Sequence, residues 1–142
     1  MRASKIWPIA VYLVLISIGV GATVYFSISG KIEVIDSKIK VEPYWFRDNI
    51  SKGAEFVKEL NVKNYGQETC VYFTYVIQGP DSENVSVKFK NSTGEFINYY
   101  NKICLPSGSE SEPSNTKVYA HIQVNETAES GSYAVYIFVR SD

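Results

Sequence analysis

An uncharged apolar segment, Ile9 to Ile28, is the strongest constraint on this 142-residue chain. Arg2 and Lys5 precede the segment, and the next charged residue is Lys31. The segment is apolar on every face of a helix, which is not expected of a helix on the surface of a globular protein. About 20 such residues cross the hydrocarbon core of a bilayer, and basic residues on the N-terminal side favour a cytoplasmic N-terminus. The sequence therefore predicts one N-terminal apolar helix that directs export.

This segment has two interpretations. As a single-pass anchor, it contacts the membrane through residues 8–28, with the N-terminus inside the cell and the C-terminal domain outside. As a signal peptide, it is cleaved after Ala22, because Val20-Gly21-Ala22 provides small residues at the −3 and −1 positions, and the protein is secreted or held at the cell surface. Residues 23–28 are then either the end of an anchor or the start of a strand. Both interpretations make residues 1–30 a targeting segment and residues 31–142 an extracytoplasmic domain.

The charge of the exported part argues against a nucleic-acid partner. Twelve of the 14 basic residues and all 15 acidic residues follow Gly30, which gives residues 31–142 a net charge of −3. A mildly acidic domain lacks the basic surface that binding to nucleic acid needs. About 110 residues suit one domain with one hydrophobic core.

Cys70 and Cys104 are the only cysteines, and His121 is the only histidine. In an exported domain, two cysteines form a disulfide more often than they remain buried free thiols. So few Cys and His residues exclude a zinc site built from them. We therefore expect a disulfide between Cys70 and Cys104, no metal and no cofactor.

After Gly30 the hydrophobic pattern has a period of two residues, which is typical of β-strands. Thr69–Gln78 is apolar on both faces, which predicts a central strand, whereas Pro43–Lys52 is predicted to be a connection whose three aromatic residues plug one end of the core or lie on a membrane. The other predicted strands are Lys31–Val41 (one edge strand or two short strands), a strand from Glu55 to the turn Asn64-Tyr65-Gly66, Val85–Lys90, Glu95–Leu105, Thr116–Val124 and Tyr133–Val139. About seven short strands without a helical period predict an all-β fold, an antiparallel immunoglobulin-like sandwich.

Two segments carry a resemblance to immunoglobulin-like extracellular domains. Phe56 to Ile77 (FVKELNVKNYGQETCVYFTYVI) is similar to their strand–Asn-x-Gly–strand hairpin, and Ser130 to Val139 (SGSYAVYIFV) resembles their closing Gly-x-Tyr strand. Together the two segments cover about a third of the exported part. The resemblance implies a β-sandwich at a cell surface.

The order of the parts resembles a second family. A leader, then GKIEVIDSKIKVEP, then the LNVKNYG hairpin is similar to the TasA/camelysin-type fibre subunits. That resemblance implies an extracellular fibre in which the N-terminal strand of one subunit completes the sheet of its neighbour. An anchor followed by a sandwich is also similar to the archaellum's membrane-anchored sandwich subunits, which contact the surface layer.

Catalytic chemistry is not indicated by the sequence. His121 alternates with apolar residues on a predicted strand, where a solvated histidine is far more common than a catalytic base. Asp81 and Glu83 match an ordinary acidic turn better than a calcium loop. The sequence contains no glycine-rich phosphate loop and no HExxH or GxSxG motif. We therefore expect a protein that is not an enzyme.

Four N-glycosylation sequons recur along the exported part. A chain with nine asparagines and this content of Ser and Thr would have one or two by chance, so coincidence in a polar chain remains an alternative. All four lie in or beside predicted turns, which favours an extracellular glycoprotein. The acceptors are Asn49, Asn84, Asn91 and Asn125.

These observations lead to one function hypothesis and one alternative. The hypothesis is a non-enzymatic cell-surface structural protein, expected in an archaeon, whose sandwich engages other subunits or the surface layer through its sheet edges. The alternative is an accessory ligand- or partner-binding module of a membrane complex, similar to an archaellum-stator tether.

Overall fold

The domain is an all-β sandwich. A computed structural model describes residues 25–34 and 36–142, which form two sheets around one hydrophobic core. The nine strands are β1 (Tyr25–Val34), β2 (Ile39–Glu42), β3 (Trp45–Ser51), β4 (Glu55–Asn64), β5 (Thr69–Gln78), β6 (Val85–Lys90), β7 (Ile103–Leu105), β8 (Ser114–Val124) and β9 (Ser132–Arg140). The predicted all-β class and two-layer arrangement are therefore confirmed, with nine strands in place of about seven. The predicted N-terminal helix lies outside the described residues.

The first sheet has the strand order β3-β1-β9-β5-β7, and the second has the order β2-β4-β8-β6. Alternating residues of both sheets form the core, as the period of two predicts. On β8, for example, Val118, Ala120, Ile122 and Val124 are all fully buried. On β4 the same alternation buries Leu60 and Val62.

Strand β1 lies in the interior of the first sheet. It pairs antiparallel with β3 over Tyr25–Lys31 and parallel with β9 over Ser27–Val34. The parallel pair corrects the prediction of a purely antiparallel sandwich. Parallel strands need a long crossover connection, and here most of the domain separates the two strands. The period of two could not show this, since it is the same in both kinds of ladder.

The segment Pro43–Lys52 corrects a second prediction, because most of it is strand β3 and not a connection. Phe46 and Ile50 point into the core, while the residues between them are polar. With only two buried residues in seven, this edge strand lacks the apolar alternation that identified the others. Of the aromatic trio, only Phe46 is buried, while Tyr44 and Trp45 are 71% and 55% exposed.

The predicted strand Glu95–Leu105 is mostly irregular, and only its last three residues form β7. Ile97 is buried and donates its backbone N–H to the carbonyl of Phe89 in the second sheet. A tight turn between Asn98 and Asn101 then leads the chain into the first sheet. The apolar residues of this segment therefore belong to a crossing between the two sheets. Their pattern in the sequence fits such a buried crossing as well as it fits a strand.

Asn64 holds the turn between β4 and β5 to a distant loop. Its side chain is 1% exposed, and its amide nitrogen donates to the carbonyls of Gln67 at 2.7 Å and Pro106 at 3.0 Å. Its side-chain oxygen accepts the backbone N–H of Gly66 at 2.9 Å. Burial of an amide side chain lowers the stability of the fold unless its N–H and C=O groups are hydrogen-bonded. The three hydrogen bonds therefore explain why asparagine occupies the first position of the predicted Asn-Tyr-Gly turn.

The packing of β1 against β3 gives a direct test of the strand's register. Gly30 is paired with Phe46, and a Cβ atom at residue 30 would overlap the Phe46 ring. We expect Gly30→Ala to lower the free energy of unfolding by about 1–3 kcal/mol through overpacking. In a Phe46→Ala background the same change should cost little, because the ring is absent. Chemical unfolding of the four proteins measures this coupling, and equal costs of Gly30→Ala in both backgrounds would contradict the register.

Candidate functional site

The predicted disulfide is present between Cys70 on β5 and Cys104 on β7. The two residues lie directly opposite each other in the antiparallel pair, with Cα atoms 3.8 Å apart. A closely spaced pair of this kind belongs to the positions that exchange no backbone hydrogen bonds. The bond therefore fixes the three-residue strand β7, and with it the chain crossing that precedes it.

The four sequons differ in how their asparagines are held. Asn49 on β3 and Asn125 after β8 are exposed. Asn84 is half-buried, and its amide nitrogen donates to Asp81 at 3.0 Å. Asn125 lies beside Asn84 and donates its backbone N–H to the Asn84 carbonyl at 2.9 Å. Two sequons therefore meet at one end of the sandwich.

Asn91 is also bound within the fold. Its side-chain oxygen accepts from the Thr93 backbone at 3.0 Å, the Thr93 hydroxyl at 2.8 Å and the Glu95 backbone at 2.9 Å. Its amide nitrogen donates to the Glu95 carboxylate at 3.1 Å. These bonds close the turn after β6, so the side chain already has a structural role.

Asp81 stabilises the turns at the same end as Asn84. One carboxylate oxygen accepts from Asn84, and the other accepts the backbone N–H of Glu129 at 3.0 Å. Nearby, the hydroxyl of Tyr133 donates to the Glu129 carbonyl. Burial raises the pKa of the Tyr133 phenol, and the carboxylates of Asp81 and Glu129 act in the same direction. The acidic turn between β5 and β6 is thus joined to the connection between β8 and β9.

His121 lies on the outer face of β8, as its alternation with buried residues predicts. Its side chain is 18% exposed, and its Nδ1 atom is 3.5 Å from a carboxylate oxygen of Glu55. The structure does not bring His121 together with Asp81, Glu83 or the cysteines. Among the described residues, no three Cys, His, Asp or Glu side chains form a group that could hold a metal ion.

Three of the four strands at the edges carry features that oppose pairing with another chain. Strand β3 presents Arg47, Asp48 and the sequon at Asn49. Strand β2 is only four residues long, carries Lys40 and Glu42, and ends at a proline. Strand β6 presents Lys88 and Lys90, and residues 95–97 lie against its C-terminal half.

The fourth edge is different. Strand β7 covers only Thr69–Val71 of the ten-residue strand β5. The segment Thr74–Gln78 forms the open edge of β5, where Tyr75 and Val76 are 38% and 52% exposed and no residue is charged. The sequence does not predict this surface, because Thr69–Gln78, apolar on both faces, predicts a strand with neighbours on both sides. The only sequence signal is the short length of the apolar part that becomes β7.

An open apolar groove of about 490 Å³ runs beside this edge, between the two sheets. Phe73 and Phe89 stack in it with ring centroids 5.1 Å apart, and Tyr75 lies 6.5 Å from Phe89. Phe96 covers one side, with the ammonium groups of Lys88 and Lys90 5.7 and 5.0 Å from its ring centre. The groove and the open edge of β5 therefore form one continuous apolar surface.

The chain is similar to one protein from an archaeon. No model of a known protein family matches it. A protein of Archaeoglobus fulgidus, described only as uncharacterized, is 44% identical over 135 residues, which cover 94% of this chain and 96% of that protein. The chain belongs to the same family as this archaeal protein. Because only about 6% of the chain remains unmatched, the similarity extends into the apolar segment that begins at Ile9.

Within residues 25–34 and 36–142, no helix is long and apolar enough to cross a membrane. The predicted cleavage site at Ala22 lies outside the described residues.

The disulfide should contribute strongly to stability. It closes a loop of 34 residues, which corresponds to about 4 kcal/mol in the chain-entropy model. We expect reduction, or replacement of both cysteines by serine, to lower the free energy of unfolding by roughly that amount. Denaturant unfolding with and without reductant measures it. The serine variant should not respond to reductant, and an unchanged wild-type protein would contradict a structural role.

The structure also predicts which sequons are more readily glycosylated. Because the amide nitrogens of Asn84 and Asn91 donate to carboxylates within the fold, whereas that of the exposed Asn125 makes a long bond of 3.4 Å to the Asn84 side chain, we expect glycans preferentially on Asn49 and Asn125. Glycopeptide mass spectrometry of the protein from its native source measures the occupancy of each site. High occupancy at Asn84 and Asn91 with unmodified Asn49 and Asn125 would contradict this ranking.

Proposed function

We propose that the protein is a non-enzymatic structural component of an archaeal cell surface. In this proposal, an immunoglobulin-like sandwich is held outside the membrane by the N-terminal segment, or released there by cleavage. Its sheet edges engage other subunits or the surface layer. The observation that carries the proposal is the position of β1, an interior strand that begins within the apolar segment itself.

The start of β1 defines how much chain is left for the membrane. Ile28 is fully buried in the core, and the strand begins at Tyr25. Residues 6–24 then remain between Lys5 and the domain, and as a helix they would span about 28 Å, close to the roughly 30 Å of a bilayer core. If cleavage occurs after Ala22, only Thr23 and Val24 precede the strand. In both cases the domain has almost no linker.

The pairing of β1 suits a domain that is held through its N-terminus. A force directed along the strand would act on the ladders with β3 and β9 in shear, so that many backbone hydrogen bonds share it at once. Resistance to a pulling force is governed by the rate of forced unfolding, and this rate depends on the energy barrier to breaking the two ladders. A strand at an edge, peeled off one bond at a time, would be weaker.

The alternative function, an accessory binding module of a membrane complex, has one observation in its favour. The open groove lined by Phe73, Phe89 and Phe96 is the type of apolar surface that binds a partner segment. In that function the groove would receive a different protein, and the domain itself would not build a surface assembly.

Location of the native protein tests the proposal most simply. We expect it in the membrane or surface-layer fraction of the cells, removable by protease added to intact cells, with both cysteines resistant to alkylation. The cytoplasmic fraction provides the control for cell lysis. Recovery as a soluble cytoplasmic protein with two reactive thiols would refute a surface role.

The mass of the native chain then separates the two forms of the proposal. A chain that starts at Thr23 indicates a released subunit. A start at Met1, or loss of Met1 alone, indicates an anchored subunit and contradicts a fibre of the TasA/camelysin type.

A further inference from the structure

We infer that the open edge of β5, Thr74–Gln78, pairs antiparallel with the same edge of a second copy of this chain. The inference rests on the proposed surface function and names the partner and the register of one edge. It follows from the backbone groups that β5 leaves unpaired, from the residues that flank them, and from the absence of charge along the edge.

The disulfide determines which backbone groups of β5 point outward. Cys70 and Cys104 form a close pair that exchanges no hydrogen bonds, so Thr69 and Val71 are the residues bonded to β7. Alternation along the strand directs the N–H and C=O groups of Tyr75 and Ile77 to the same side. In the described part of the chain, those groups make no backbone hydrogen bond on that side.

The ends of the free stretch are set by the fold. On one side, the crossing through Asn98–Asn101 passes beside β5, with the rings of Tyr72 and Tyr99 5.4 Å apart. On the other side, Gly79-Pro80 ends the strand. Five residues, Thr74–Gln78, therefore remain available for a new strand.

These five residues are complementary to themselves. If two copies pair around a two-fold axis at the centre of the stretch, Val76 lies opposite Val76 of the second copy. Tyr75 then lies opposite Ile77, and Thr74 opposite Gln78. The outward groups of Tyr75 and Ile77 meet in register and form four backbone hydrogen bonds. No charge faces a like charge, in contrast to β3, β2 and β6, whose charged residues oppose such pairing.

The pairing would also cover apolar surface. Val76 is on the outer face of the sheet and is 52% exposed, while Tyr75 lines the groove beside Phe89. A second copy brings its own Tyr75 and Ile77 against this groove. A five-residue ladder is a small interface, so the fraction of paired copies is expected to depend on protein concentration, and pairing is assayed on copies that are co-expressed and kept concentrated.

The symmetry has a consequence for anchored molecules. The two-fold axis is normal to the sheet, and the two β1 strands therefore begin at opposite ends of the joined sheet. Copies held in one membrane pair with their strands along the membrane plane. Released copies, or copies on facing surfaces, have no such restriction.

Charge reversal at Val76 tests both the partner and the register. Two copies of the full chain with different affinity tags are co-expressed, purified in detergent and assayed for co-purification. We expect wild-type copies to co-purify. Copies that both carry Val76→Lys, or both carry Val76→Glu, should have a dimer dissociation constant raised about tenfold, since like charges meet across the strands. One Lys copy with one Glu copy should restore pairing.

Val57→Lys provides the matched control. Val57 is a comparably exposed valine on the outer face of β4, in the other sheet, and its replacement should leave co-purification unchanged. Thermal unfolding of each variant verifies that the fold is retained. Hydrogen exchange of the wild-type chain gives a second measurement, in which the amides of Tyr75 and Ile77 should exchange more slowly at high protein concentration than at low.

Several results would overturn the inference. These are wild-type copies that do not co-purify, Lys–Lys pairs that bind like wild type, and Lys–Glu pairs that are not restored. If the copies do not pair, and a different protein binds the wild-type chain but neither Val76→Lys nor Val76→Glu, the result would favour a strand of that other protein at this edge. A monomeric protein that is nevertheless recovered at the cell surface would overturn the dimer and leave the proposed function standing.

Discussion

The backbone ladder of β1 connects parts of the fold that do not otherwise meet. In the sheet order β3-β1-β9-β5-β7, the strand β1 is the only neighbour of β3 and covers one whole side of β9. Its residues Ile28 and Ile32 complete the core beneath those two strands. Without β1, the first sheet would lose β3 and expose an edge of its C-terminal strand. The N-terminal strand is therefore part of the domain's structure and not a free arm.

The position of β1 bears on the role of residues 23–28 at the end of the apolar segment. Residues 23–28 were expected to end an anchor or to begin a strand, and from Tyr25 onward they are strand. A subunit that donates this strand to a neighbour would first have to break its ladders with β3 and β9. Assembly through an edge that is already open requires no such loss, which favours the open edge of β5 as the contact in the proposed assembly.

The sequence predicts the strands that have one buried face and one solvent-exposed face. Strands β4, β6 and β8 have this alternation, and their positions are confirmed within a few residues, as is that of β9. Strand β3 was missed because an edge strand buries few residues. Strand β1 is partly concealed in the sequence by the hydrophobicity of the apolar segment in which it begins. The segment before β7 is an irregular crossing between the two sheets. Its buried apolar residues follow no regular spacing, so they do not indicate its structure.

The candidate sites were predictable to different degrees. The cysteine pairing is predictable from the expected export and the even count of cysteines, whereas the bonds of Asn84 and Asn91 depend on residues brought together by turns. The open edge of β5 was not predictable, since hydrophobicity indicates that a strand avoids water but not how many neighbours it has. Only the three-residue length of β7 reveals that five residues of β5 lack a partner on one side.

Residue-resolved hydrogen exchange of the dilute full chain tests the central claim, that β1 belongs to its own domain's sheet. If it does, the amides of Ser27–Val34 exchange as slowly as those of their partners on β9, because both open only when the sheet opens. Rapid exchange throughout β1, while β4 and β8 remain protected, would show a free N-terminal arm and contradict the account.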